Sequence, residues 1–173
     1  MITGELRQSV AIRARALRTR LNDPGADPVA AAREAKQLFE DAVDEAHTRW
    51  INLELVGFQD HVAIQPLHEV LRVPVGSRLA VHVAAYRTQR GIYSSGVSPR
   101  PFLHFFVEPL ADLVATRMRV LQSGGTSNLE LRFGPQVGVP DYPTLAEFPR
   151  NVFERIVSGF TAALYLQLGD IAS

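Results

Sequence analysis

The C-terminal segment constrains the fold of this chain more than any other stretch. From Pro149 to Leu168, Val152, Phe153, Ile156, Val157, Phe160, Ala163, Leu164 and Leu168 recur at helical spacing and cover more than half of a helix circumference. Packing on one sheet face needs only a stripe, so this helix carries more apolar surface than a single layer beneath it hides. The expectation drawn from that surplus is an interface. Phe153, Val157, Phe160, Leu164 and Leu168 are shared between a sheet and a partner, and enclosure of the whole face within one subunit removes the argument.

At the other end, Leu6, Val10, Ala14, Leu17 and Leu21 form a helical stripe among arginines, and Asn22-Asp-Pro-Gly-Ala-Asp-Pro is a dense turn signal. Asp27 followed by Pro28 reads as the cap and first position of a second helix, with Ala35, Leu38, Phe39, Ala42, Ala46 and Trp50 on one face. The first helix is basic and the second acidic, so residues 1–50 are expected to form an antiparallel helical hairpin whose opposite charges set its register.

After Trp50 the period changes. Ile51, Leu53 and Leu55 alternate with Asn52 and Glu54, and extended runs follow at residues 61–67, 69–75, 78–88, 102–108, 113–122 and 128–133. Ser123-Gly-Gly-Thr-Ser is expected to join the last two of these as a hairpin. Thr144 and Glu147 have capping-box spacing ahead of the final helix. The fold class expected is α+β in a single domain of residues 1–173. It comprises the hairpin (1–50), a mostly antiparallel sheet of about six strands (51–133), and a long C-terminal helix (144–169) packed on one sheet face.

Composition excludes several functions. With 18 basic and 18 acidic residues the formal charge is zero, so no net field draws the chain to nucleic acid. The absence of cysteine excludes disulfides, thiolate catalysis and cysteine-held metal. No apolar run reaches the roughly 18 to 20 residues of a membrane span, and the N-terminus does not read as a signal peptide. A cytoplasmic location without membrane contact is expected. Seventeen arginines against one lysine, alongside many alanines, read as a bias of the source genome.

Chemistry-bearing residues concentrate in Arg90-Gly-Ile-Tyr-Ser-Ser-Gly-Val-Ser-Pro-Arg-Pro-Phe-Leu-His. Pro99 and Pro101 hold Arg100 extended, and a loop carrying Ser94, Ser95 and Arg100 has the donors to hold an anion. His104, on a strand face with Phe102 and Phe106, is kept neutral by burial and able to accept a proton. His82, between Val81 and Val83, lines the same face or serves structurally. Ser95, His104 and Asp141 are the residues from which a nucleophilic triad can be written, although no spacing demands one. His61, His68 and Glu69 match no metal-ligand pattern, and neither a metal nor another cofactor is expected.

The leading expectation is a non-catalytic interaction or assembly module that self-associates or binds a protein partner through the C-terminal helix. The alternative is a small-ligand-binding or hydrolytic domain with its cavity between sheet and C-terminal helix, served by His104, His82, Arg100, Ser94 and Ser95.

Overall fold

A computed structural model describes residues 4–59, 62–63, 65–93, 103–132 and 145–173. The N-terminal expectation holds in α1 (Gly4–Arg20) and α2 (Pro28–Asp41). Val10, Ala14, Leu17 and Leu21 are buried, while Leu6 is exposed in the first turns. Asp27 caps α2 by accepting from the backbone N–H of Val29 (2.9 Å) and Ala30 (3.2 Å). Opposite charges meet along the pair, Arg13 to Asp41 at 2.6 Å and Arg20 to Glu34 at 2.5 Å. These exposed or part-exposed pairs set register and contribute at most about 1 kcal/mol each.

The acidic helix does not run through to Trp50. The N–H of Asp44 bonds the carbonyl of Phe39 (2.8 Å) and that of Val43 the carbonyl of Glu40 (2.9 Å), which closes α2 in a Schellman turn. Val43 occupies the left-handed position at φ 55°, where glycine is usual, and its side chain is exposed. Asp44 then caps α3 (Glu45–Val56) by accepting from the N–H of His47 at 3.1 Å.

Beyond this point the expected sheet is replaced by helices. Residues 51–55 lie within α3, where Trp50, Ile51 and Glu54 face the core at helical spacing. Across the runs at 61–67 and 69–75, Leu67–Leu71 form α4, with Leu67 and Leu71 buried, and the described residues of those runs contain no strand. Residues 78–88 form α5 (Arg78–Arg87), capped by the Ser77 hydroxyl and burying Leu79, Ala80, Val83 and Tyr86; a 3-10 turn, Thr88–Arg90, follows. Residues 113–122 lie in α6 (Leu110–Ser123), which turns out through Gly124 at φ 63°. The glycines expected to make a hairpin therefore end a helix. The α+β class with a six-stranded sheet is overturned by a mostly helical chain.

Extended structure among the described residues is confined to two antiparallel pairs. β1 (Gly91–Tyr93) pairs with β2 (Leu103–Phe105), and β3 (Leu129–Arg132) with β4 (Leu145–Phe148). The strand expected at 128–133 is present, but its partner is 145–148 and not 113–122. Glu147 stands opposite Glu130 in that ladder and caps no helix; Thr144 lies outside the described residues.

The last helix, α7 (Val152–Ala172), starts beyond Pro149 and not at the expected residue 144, because Leu145–Phe148 form β4, and its apolar face lies in the core of the fold. It packs against α1, α2, α5 and α6, and its rings meet Trp50–Phe160 at 5.9 Å, Tyr86–Phe160 at 6.0 Å and Phe106–Phe153 at 5.3 Å. Gly159 permits the approach of α5, since a Cβ there would lie 1.9 Å from Gln89 Oε1 and 3.2 Å from Tyr86 Cδ2. The greasy circumference is thus enclosed by several helices of the same chain.

Because a β-branched residue in the left-handed region is strained by about 1 to 3 kcal/mol and the Val43 side chain buries little, Val43→Gly is expected to stabilise the fold by about 1 kcal/mol. Urea unfolding at neutral pH checks this through an increased midpoint with unchanged slope.

Candidate functional site

Ser94, Ser95, Arg100 and Asp141 lie outside the described residues, as does His61. His104 sits in β2, its ring 4.6 Å from that of Phe106 and 5.7 Å from that of Phe148. Burial there lowers its pKa below the ordinary 6.5. His82 is on α5 and bonded to α7, so it shares no strand face with His104. Phe153, Val157, Phe160, Leu164 and Leu168 are between 0% and 4% exposed. The side chains assigned to an interface are core residues, and among the described residues the strands form two two-stranded pairs, not the broad sheet expected to enclose a cavity with α7.

Two polar clusters hold the helices instead. The first joins α3, α7 and α5. His47 Nδ1 lies 2.7 Å from Asp44 Oδ2, a short ion-pair contact without hydrogen-bond alignment, while His47 Nε2 meets Gln167 Oε1 at 3.0 Å. Gln167 Nε2 in turn donates to His82 Nδ1 at 2.9 Å. Burial raises the Asp44 pKa, but hydrogen bonding and charge from His47 outweigh it and leave the carboxyl below its ordinary range. Gln167 is fully enclosed, and both of its ends are committed within the chain. The arrangement orients two imidazoles and ties three helices, rather than presenting a base to solvent.

The second cluster surrounds Glu54 and Arg90, both 0% exposed. Glu54 Oε1 accepts from Trp50 Nε1 (3.1 Å), and Oε2 accepts from the Tyr86 hydroxyl (2.9 Å) and Arg90 Nη2 (2.6 Å). Arg90 also donates to Tyr86 Oη at 2.9 Å and to the carbonyls of Phe106 (2.7 Å) and Glu108 (3.0 Å). Its guanidinium lies 4.8 Å from the Phe58 ring centroid. Burial alone would lower the Arg90 pKa, but the adjoining Glu54 carboxylate raises it, and burial together with that same charge raises Tyr86 well above 10.0. Every partner faces inward. This is a structural crosslink of α3, α5, the 3-10 turn and the segment that follows β2.

Clefts lie elsewhere on the surface. One of about 680 Å³ runs between α1 and the last turn of α7, and another of about 550 Å³ between the α1–α2 turn, α6 and α7. Neither is lined by His104, His82 or Glu54. Among the described residues, no group of histidine, cysteine, aspartate and glutamate side chains has the arrangement of a metal site, and no helix is long and apolar enough to cross a membrane.

Sequence reading missed Gln167, Arg117 and the Asp44–His47 pair. The last was visible as a cap residue followed three positions later by histidine; Arg117 was hidden by its assignment to a strand. No family model matches the chain, and no curated protein or solved structure gives a match.

Removing one member of the buried ion pair leaves the other charge uncompensated, so Glu54→Leu or Arg90→Met should each destabilise the protein by about 3–5 kcal/mol. The double variant should lose clearly less than the sum of the two, measured as a double-mutant cycle in urea. A second expectation concerns pH. The folded chain protonates His104 less readily than the unfolded chain, so the stability contributed by the neutral ring is fully present above pH 6.5 and declines as pH falls through the lower folded value. His104→Leu should flatten the loss of stability between pH 7.5 and about pH 5.

Proposed function

We propose that the chain is a non-catalytic interaction module whose docking surface is the groove between α1 and the C-terminal turn of α7, and whose partner is an acidic, amphipathic protein segment. The observation that carries the reading is the composition of that groove. Ile12, 55% exposed, lines it together with Ala11 and Ile171, and the charged side chains among its lining residues are Arg7 and Arg15, with no aspartate or glutamate. An apolar floor between two guanidinium groups complements a helix carrying leucines on one face and carboxylates at its edges.

Several features support a different protein over a second copy. The five apolar residues that suggested self-association are in the core. Glu34 and Asp41, the acids closest to the arginine-rich helix in this fold, are already held by Arg20 and Arg13. The last helix still takes part, through Ile171 and through the Ala172 carbonyl that accepts from Arg15 Nε at 2.8 Å and so fixes the guanidinium at the groove. In a chain of zero formal charge, attraction to such a partner is local and sensitive to salt.

Titration calorimetry with a synthetic leucine–glutamate amphipathic peptide tests this. Binding should weaken as salt rises, drop at least about tenfold in Ile12→Asp, and drop similarly when Arg7 and Arg15 are both replaced by glutamate. Equal binding of a leucine–lysine peptide, or no binding of the acidic one, would overturn the reading.

A further inference from the structure

The buried guanidinium of Arg90 is saturated with acceptors, and the guanidinium of Arg18, whose Nε lacks one, lies over the Tyr165 ring at 4.1 Å. Arg117, on α6, is placed differently. Its side chain is only 24% exposed, its Nε is buried without any acceptor, and its Nη1 lies 3.7 Å from Glu154 Oε2, beyond hydrogen-bond length. Glu154 is half used as well: Oε1 accepts from the Ser158 hydroxyl at 3.2 Å, and Oε2 has only the long contact to Arg117. Nε itself is enclosed, so what the part-exposed side chain offers a ligand is its Nη end, where the long contact to Glu154 leaves room for a closer acceptor.

Both residues line the groove of about 550 Å³ formed by the α1–α2 turn, α6 and α7. That volume falls in the range of small-molecule sites, about 300 to 1,000 Å³. Leu21, Val157 and Leu166 supply apolar lining, and Leu166 is 45% exposed with nothing from this chain covering it fully. An anion alone would meet Arg117 but also the Glu154 carboxylate; a cation alone would meet the reverse conflict. A molecule that carries a carboxylate and an ammonium on one carbon satisfies both, with its carboxylate on the Arg117 fork and its ammonium on Glu154 Oε2. Asp23, also lining the groove, disfavours an acidic side chain on such a molecule.

From this we infer that the groove is a binding site for a free α-amino acid with an apolar or aromatic side chain, Arg117 and Glu154 reading its zwitterionic head and the exposed Ala162 and Leu166 its side chain, over the buried Val157. The site is separate from the α1–α7 groove and does not depend on a protein partner there.

The test uses the whole chain and three probes of one shape: L-phenylalanine, N-acetyl-L-phenylalanine and L-phenylalaninamide. Calorimetry gives affinities, and methyl NMR of Val157 and Leu166 locates binding. L-phenylalanine should bind and shift those methyl signals, and each blocked derivative should bind at least about tenfold more weakly, because one charge loses its partner. Arg117→Met and Glu154→Gln should each reduce L-phenylalanine affinity about tenfold or more while the unliganded proteins keep the wild-type thermal midpoint within a few degrees. The inference is overturned if L-phenylalanine leaves the Val157 and Leu166 methyls unmoved, if either blocked derivative binds as tightly, or if Arg117→Met binds it unchanged.

Discussion

The enclosure of α7 is the constraint from which the remaining architecture follows. A helix of 21 residues that buries Phe153, Ile156, Val157, Phe160, Leu164 and Leu168 on a broad face cannot be covered by one neighbour. Each fully buried aliphatic or aromatic side chain stabilises the fold by roughly 1.5 to 3 kcal/mol, so leaving any flank open would sacrifice a large part of a marginal total. Placing α1, α2, α5 and α6 around it satisfies that demand within one chain. The enclosure covers the apolar face of α7 and leaves Glu154, Ser158 and Leu166 on its outer side, and the two grooves described above lie where that outer side meets its neighbours.

Polar interactions inside this assembly serve orientation more than net stability. Glu54 and Arg90 gain little from pairing once their loss of hydration is counted, but neither charge can be left alone in the core. Their bonds to Trp50, Tyr86 and the carbonyls of Phe106 and Glu108 therefore permit one placement of α3, α5 and the strands relative to each other. Gln167 performs the corresponding task at the other end of α7, bridging His47 and His82. Unlike the Glu54–Arg90 pair, Arg117 and Glu154 both line a groove and meet only at 3.7 Å.

The parts of the fold legible in the sequence were those governed by nearest neighbours along the chain. Asp27-Pro28 declared a helix start, and the Leu6–Leu21 stripe declared its predecessor. The middle was misread because alternation over a few residues is shared by strands and short helical segments. Ile51, Leu53 and Leu55 looked like one face of a strand since Glu54 was assumed to be wet; in the fold Glu54 is buried and Leu53 and Leu55 are only half-buried. Leu79, Val83 and Tyr86 did carry a helical period, overlooked because Val81 and His82 completed an apparent β run. Of the proposed site residues, His104 was placed correctly on a strand among phenylalanines, whereas His82 belongs to a different element with a different partner.

Local chemistry along the chain thus determined the helix caps, the basic-to-acidic pairing of the first two helices, the absence of thiol chemistry, and a last helix whose broad apolar face must be buried. Tertiary structure alone decided what buries it, because hydrophobic attraction is non-directional and a wide apolar face is equally content with a sheet, a second copy or a ring of helices. It also decided which charges were spent internally and which were left over. Whether an arginine meets a carboxylate depends on distances across elements remote in sequence, as Glu54 to Arg90 and Arg117 to Glu154 show in opposite ways.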